Sequence, residues 1–208
     1  MKIKSIFIII ITVLITSSSF AQQKGKYLAS IYYNTSLAVG RTSDFIDNMS
    51  WAGVSFDGKQ FISNNTAVGL LFGWNVFSQE DDGLKTFTNG AIYGHTASYV
   101  NAIPFLASIT YFPNTSRSAK TKFYMTGYVG AYDILTQLEL GVNQFESNNW
   151  HFGLAPEIGV YYQAGRTTNL TLSTRYNYAF SSGEALNGDG SNEHSWINFS
   201  LGIGYNSW

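Results

Sequence analysis

From Trp196 to the last residue the chain alternates: Ile197, Phe199, Leu201, Ile203 and Tyr205 fall on one side of an extended backbone, Asn198, Ser200, Gly202, Gly204 and Asn206 on the other. Successive side chains of a strand point to opposite faces, so the segment has one bulky apolar face and one small polar face. A 3.6-residue helical period would scatter the same residues around an axis. A chain made of such segments must close on itself, with the bulky face either inward around an apolar pocket or outward toward lipid.

Seven further extended segments precede this one. Residues 27–40 alternate Ala29, Ile31, Tyr33, Leu37 and Val39 against Ser30, Tyr32, Asn34 and Ser36. Residues 51–61 and 66–77 follow, joined by the short turn-like Ile62-Ser63-Asn64-Asn65, and the later of the two sets Val68, Leu70, Phe72, Trp74 and Val76 against Ala67, Gly69, Gly73 and Asn75. A polar stretch from Ser78 to about His95 predicts a long loop before a fourth segment, 97–111, in which Pro104 removes a ladder donor and predicts a bulge or local distortion. The fifth, 121–133, has no clear faces, because Phe123, Met125 and Val129 oppose Tyr124, Tyr128 and Tyr132. A loop near 141–149 precedes the sixth, 150–163, and Gly165-Arg166-Thr167-Thr168 turns the chain into the seventh, 170–180. Connections thus alternate, short after segments two, four and six, long or polar after one, three, five and seven, the two-rim pattern of membrane barrels.

The interior of an eight-stranded barrel is only just wide enough to be filled by side chains. Phe, Leu, Trp and Tyr from nearly every strand would overfill it, whereas Gly, Ala, Ser and Asn fit. The bulky face therefore points out, and the fold class is all-β, an eight-stranded antiparallel up-and-down transmembrane β-barrel. Trp51, Trp150, Tyr111, Tyr162 and Trp208 near strand ends suit interfacial aromatic girdles.

The N-terminus supports an export route. Lys2 and Lys4 precede an apolar run from Ile6 to Ile15, and small residues at Ser19 and Ala21 suit cleavage before Gln22. Residues 1–21 are read as a signal peptide and 22–208 as one barrel domain. Loss of Lys2 and Lys4 leaves 10 of the 12 basic residues against 13 acidic ones, a net charge of −3 without a basic block, which argues against nucleic-acid binding. Charged residues make up only 12% of the chain against about 25% in an average soluble domain, and Ser, Thr, Asn and Tyr take their place. With no cysteine, neither a disulfide scaffold nor a lipid-anchored N-terminus is available.

The signal segment, the eight alternating strands, the Gly/Tyr-rich composition and the ending Leu201-Gly202-Ile203-Gly204-Tyr205-Asn206-Ser207-Trp208 together resemble the small outer-membrane β-barrel domain family, akin to OmpX and OmpW. Trp208 departs from the usual ending, since it falls out of step with Ile203 and Tyr205. The resemblance implies a monomer in the outer membrane of a Gram-negative bacterium, with membrane lipid and the barrel-assembly machinery as partners. That family includes adhesins, small-molecule pores, structural barrels and a few lipid-modifying enzymes, so the likeness does not choose among them.

Inside such a barrel Asp57, Lys59, Glu157 and Arg175 become buried charges of both signs, which persist only when paired, and a polar network tying strands together is the expected site. Asn34, Asn75, Asn177 and Asn198 lie at similar depth. His95, His151 and His194 fall near the long-loop rim, yet no motif marks a serine as nucleophile, so no enzyme is expected. Glu80-Asp81-Asp82-Gly83 and residues 187–193 carry oxygen ligands, but neither completes a calcium loop, and no metal or cofactor is expected. The leading expectation is a structural or surface-interaction barrel whose long loops meet an extracellular ligand. A narrow conduit for small apolar molecules is the alternative, which a side opening in the wall near Pro104 would favour, and a rim-sited lipid-modifying enzyme comes third.

Overall fold

The computed structural model describes residues 26–87, 90–113, 119–140, 143–183 and 192–207. The segment read as a signal peptide, residues 1–21, and Trp208 lie outside the described residues. Eight strands, β1 Tyr27–Val39, β2 Ala52–Phe61, β3 Thr66–Phe87, β4 Gly90–Tyr111, β5 Thr121–Leu140, β6 Asn143–Gln163, β7 Thr168–Ala179 and β8 His194–Asn206, pair in chain order as a closed barrel. Every pairing is antiparallel, and β8 returns to β1 from Leu28↔Asn206 to Val39↔Ser195. Closure matters because a sheet edge left in hydrocarbon would cost several kcal/mol per unpaired backbone group.

The faces sort as the steric argument requires. In β1 Leu28, Ser30, Tyr32, Asn34, Ser36 and Ala38 are buried in the lumen while the residues between them face out. Outside, Leu70, Leu172 and Leu201 belong to a continuous apolar belt, Leu70 being 71% exposed. Tyr27 and Tyr205, ring centres 6.2 Å apart, stand with Tyr111 and Tyr162 on one margin of the belt. Trp51, Trp74 and Trp150 mark the other.

The fifth strand, undecided by its pattern, turns Tyr124, Tyr128 and Tyr132 inward and Phe123, Met125 and Val129 outward. Large rings fit this narrow interior because a neighbouring strand yields space. Tyr124 lies opposite Gly159 and Tyr32 opposite Gly202. A Cβ on Gly159 would come within 2.5 Å of the Tyr124 ring, and one on Gly202 within 2.4 Å of the Tyr32 ring. Glycine is needed at both positions for close approach.

Two expectations about connections are corrected. The stretch from Ser78 to His95 is not a loop: β3 and β4 continue as a paired hairpin to Phe87↔Gly90. Likewise β5 and β6 pair as far as Leu140↔Asn143, so the loop placed near 141–149 shrinks to two residues. At Pro104 the ladder is locally distorted, as a missing donor predicts: the two pairs between Phe72↔Phe105 and Asn75↔Ala102 drop out, while the register is kept and no bulge forms. Pro156 interrupts the β6–β7 ladder in the same way, between Leu154↔Tyr178 and Glu157↔Arg175.

The lengthened strands give the barrel an uneven rim. β2 stops pairing with β3 at Ala52↔Val76, and 11 more residues of β3 run on to Phe87. At about 3.3 Å per residue that is roughly 36 Å of strand, or about 25 Å of height at a tilt near 45°. β3, β4, β5 and β6 thus rise together as a four-stranded sheet on one side of the mouth. On the other side the β1–β2 connection folds inward. Gly40, at φ +57°, opens the short helix α1, Arg41–Phe45. Ile46 after it is wholly buried and joins the cluster of Phe77, Val100 and Trp196. At the opposite mouth Phe112 turns under the barrel, its ring 5.9 Å from Tyr124 and 5.8 Å from Tyr161.

Candidate functional site

The four charged residues singled out from the sequence meet in the middle of the lumen. Asp57 and Lys59 are alternate residues of β2 and share its inner face. Glu157 of β6 and Arg175 of β7 are direct cross-strand partners. The Lys59 ammonium pairs with Asp57 Oδ2, both side chains 1% exposed, and Arg175 Nη1 lies 3.5 Å from Glu157 Oε2. Two acids and two bases balance, as buried ions must, because each carries a desolvation cost of several kcal/mol that only a partner offsets.

Tyrosines link the two pairs into one cluster. The Tyr128 hydroxyl donates to Asp57 Oδ2 at 2.8 Å, accepts from Lys59 Nζ at 3.3 Å and lies 3.4 Å from Glu157 Oε1. Tyr124 donates to Glu157 Oε1 at 3.0 Å. The Arg175 guanidinium stands 5.5 Å over the Tyr128 ring, and Lys59 Nζ is 5.6 Å from the rings of both Tyr124 and Tyr128. These tyrosines escaped the sequence reading because tyrosine suits either face of a membrane strand.

An amide layer lies outward of the ions. Asn198 Nδ2 donates to Asn75 Oδ1 at 2.7 Å and to Ser36 Oγ at 2.9 Å, and Asn198 Oδ1 accepts from Trp196 Nε1 at 3.0 Å. Ser200 donates to Asn34 Oδ1 at 2.7 Å, and Asn34 Nδ2 donates to Ser55 at 3.1 Å. Asn34, Asn75, Asn177 and Asn198 are all fully buried, so β1, β2, β3, β7 and β8 are stitched together from within. Trp196 covers the layer, packed edge-on against Tyr132 at 5.4 Å and Phe77 at 6.1 Å. Aromatic, amide, ionic and again aromatic layers thus follow one another along the described lumen. Beside Pro104, a Cβ on Gly73 would stand 3.2 Å from the proline ring.

Of the rim residues, His151 and His194 come together, their ring centres 5.3 Å apart. His151 Nδ1 bonds the Phe180 carbonyl at 2.9 Å and His194 Nε2 bonds Asn192 Oδ1 at 3.1 Å, so carbonyl groups rather than serines occupy them. The His95 side chain lies outside the described residues, as do residues 187–191 of the second acidic run. Glu193 accepts from Tyr178 at 2.8 Å and pairs with Arg41 at 3.4 Å. Glu80, Asp81 and Asp82 sit within β3 rather than in a loop, and Gln79 Nε2 donates to the Asp81 carboxylate at 3.1 Å. Among the described residues no three His, Cys, Asp or Glu side chains converge on a metal position.

No protein family and no curated protein matches the chain by sequence. Solved structures match it by shape. Ail, the attachment invasion locus protein of Yersinia pestis, in complex with the heparin analogue sucrose octasulfate, gives a TM-score of 0.53 at 13% identity, over 89% of this chain and 100% of that one. The chain has the fold of the small eight-stranded outer-membrane barrels. Neisserial surface protein A gives the same TM-score at 14% identity, over 88% of this chain and 97% of that one. At such identity the likeness extends to the path of the backbone and stops short of the chemistry of the rim.

Proposed function

We propose that the protein is exported by its N-terminal signal, cleaved near Ala21, and acts in the outer membrane as a surface-interaction barrel whose working part is the projecting sheet of β3 to β6. One observation carries this reading: four consecutive strands run far past the point where their neighbours stop, although membrane crossing needs only about 9 to 11 residues each. Among the described residues β6 has β7 as a neighbour only up to Gly153↔Ala179, which leaves 143–150 on the outer edge of the sheet with Phe145 50% and Trp150 58% exposed. Such an edge can accept an added strand, main-chain bonds giving affinity and alternate side chains giving selectivity.

Charge sets the kind of partner. The projecting sheet carries Glu80, Asp81, Asp82, Glu139 and Glu146 against Lys85 alone. Ail is found with a polyanionic sugar analogue, whereas an acidic sheet disfavours that chemistry and suits a basic protein segment. In this reading the lumen cluster of Asp57, Lys59, Glu157 and Arg175 is structural, and the barrel performs no catalysis.

The test compares intact cells displaying the wild-type barrel with cells displaying one whose hairpins are cut back to two-residue turns after Ser78 and Thr136. Both should run faster unboiled than boiled on gels. Binding to surfaces coated with basic proteins should be lost from the shortened barrel and survive soluble sulfated glycan as competitor. Undiminished binding by the shortened barrel would overturn the reading.

A further inference from the structure

His151 of β6 and His194 of β8 are two strands apart, yet their rings stand 5.3 Å from centre to centre at 88°. They meet because the strand between them offers only Ala179 at that level, directly opposite both Gly153 and His194. Their exposures are 1% and 8%.

The hydrogen bonds fix both tautomers. A main-chain carbonyl only accepts, so His151 Nδ1, 2.9 Å from Phe180 O, carries the proton. Asn192 Nδ2 donates to the Ser182 carbonyl at 2.8 Å, which orients the amide and leaves its Oδ1 to accept from His194 Nε2–H at 3.1 Å. The remaining nitrogens, His151 Nε2 and His194 Nδ1, are therefore both lone-pair donors. Both are shut off from solvent, and neither has a hydrogen-bond partner among the described residues. Two lone pairs cannot bond each other, and burying either without a partner is unfavourable.

From this we propose that His151 and His194 form a two-imidazole site for a divalent transition cation of the zinc or copper type, at the outer end of the lumen. Neutral imidazoles suit such ions, and a ligating histidine is held in place when its other ring N–H bonds a carbonyl, as both do here. The spacing fits as well. With metal–nitrogen bonds of about 2.1 Å and ring centres about 1.1 Å behind each nitrogen, two tetrahedral ligands put their centres about 5.2 Å apart. No third His, Cys, Asp or Glu joins them among the described residues, so water completes the coordination. Two protein ligands imply binding weaker than a closed structural site, in a range where an ion exchanges with the medium.

The test uses the full barrel refolded in metal-free lipid vesicles, titrated with Zn²⁺ and with Cu²⁺. We expect one ion per chain by calorimetry, and for Cu²⁺ an electron paramagnetic resonance spectrum with hyperfine coupling to two nitrogens. His151→Gln and His194→Gln should each weaken binding at least tenfold with the gel mobility of the folded barrel retained. Asn192→Ala keeps both ligands and removes the bond that fixes one of them, so it should weaken binding about tenfold or more. Saturating Zn²⁺ should raise the unfolding temperature of the wild type and leave that of His194→Gln unchanged. Absence of stoichiometric binding to wild type, or binding by either histidine variant as tight as that of wild type, would overturn the proposal and leave the two nitrogens to bridging water.

Discussion

Glu157→Leu is the sharpest test of how the lumen is held together. Arg175 is 1% exposed, and its Nε and Nη2 already lack hydrogen-bond partners, so Glu157 and the face of the Tyr128 ring are what balance its charge. Removing one partner of a buried ion pair costs about 3–5 kcal/mol, since an uncompensated charge remains. At 1.4 kcal/mol per decade even the lower figure shifts the folding equilibrium by about 150-fold. Arg175→Met should cost less, about 2 kcal/mol, because Glu157 keeps the Tyr124 hydroxyl at 3.0 Å and the Lys59 charge in the same cluster. The double variant Glu157→Leu/Arg175→Met removes both ions and leaves Asp57 paired with Lys59, so it should return to within about 1 kcal/mol of wild type. Reversible urea unfolding in thin-bilayer vesicles, followed by tryptophan fluorescence, measures all four states. A Glu157→Leu loss below about 1 kcal/mol, or additivity of the two single changes, would refute the argument that charge balance holds this layer.

The same assay checks three other expectations. Tyr128→Phe removes the hydroxyl that joins the two ion pairs and should cost about 1.5–3 kcal/mol, and a loss within error would show the pairs to be independent. Gly159→Val drives a side chain into the Tyr124 ring and should cost about 1–3 kcal/mol, with Tyr124→Ala restoring part of the loss if the clash is the cause. Leu70→Arg, at the most exposed position of the belt, should cost about 2–4 kcal/mol in vesicles, against about 0.5 kcal/mol or less for Glu80→Arg on the projecting sheet, and equal effects would remove the case that the belt lies in hydrocarbon.

The sequence was legible where the two faces of a strand meet different surroundings. In β8 Ile197 to Tyr205 look outward and Asn198 to Asn206 look in, and the alternation is unbroken because a narrow polar column lies on one side and an apolar belt on the other. The lumen charges could be read for the same reason, since Asp57, Lys59, Glu157 and Arg175 fall on the small-residue face. Tyr124 and Tyr128 could not, because β5 carries large rings on both faces and the Gly159 that admits one of them lies on another strand. The tips of β3 to β6 were hidden by a different cause. Around Glu80-Asp81-Asp82 and Glu146-Ser147-Asn148 both faces are wet, so neither needs apolar residues and the period of two disappears. Alternation thus reports a difference in environment across a strand rather than the strand itself. A polar stretch can nevertheless hold an unbroken register, as from Gln79↔Ser98 to Phe87↔Gly90, because main-chain pairing does not depend on which face is apolar.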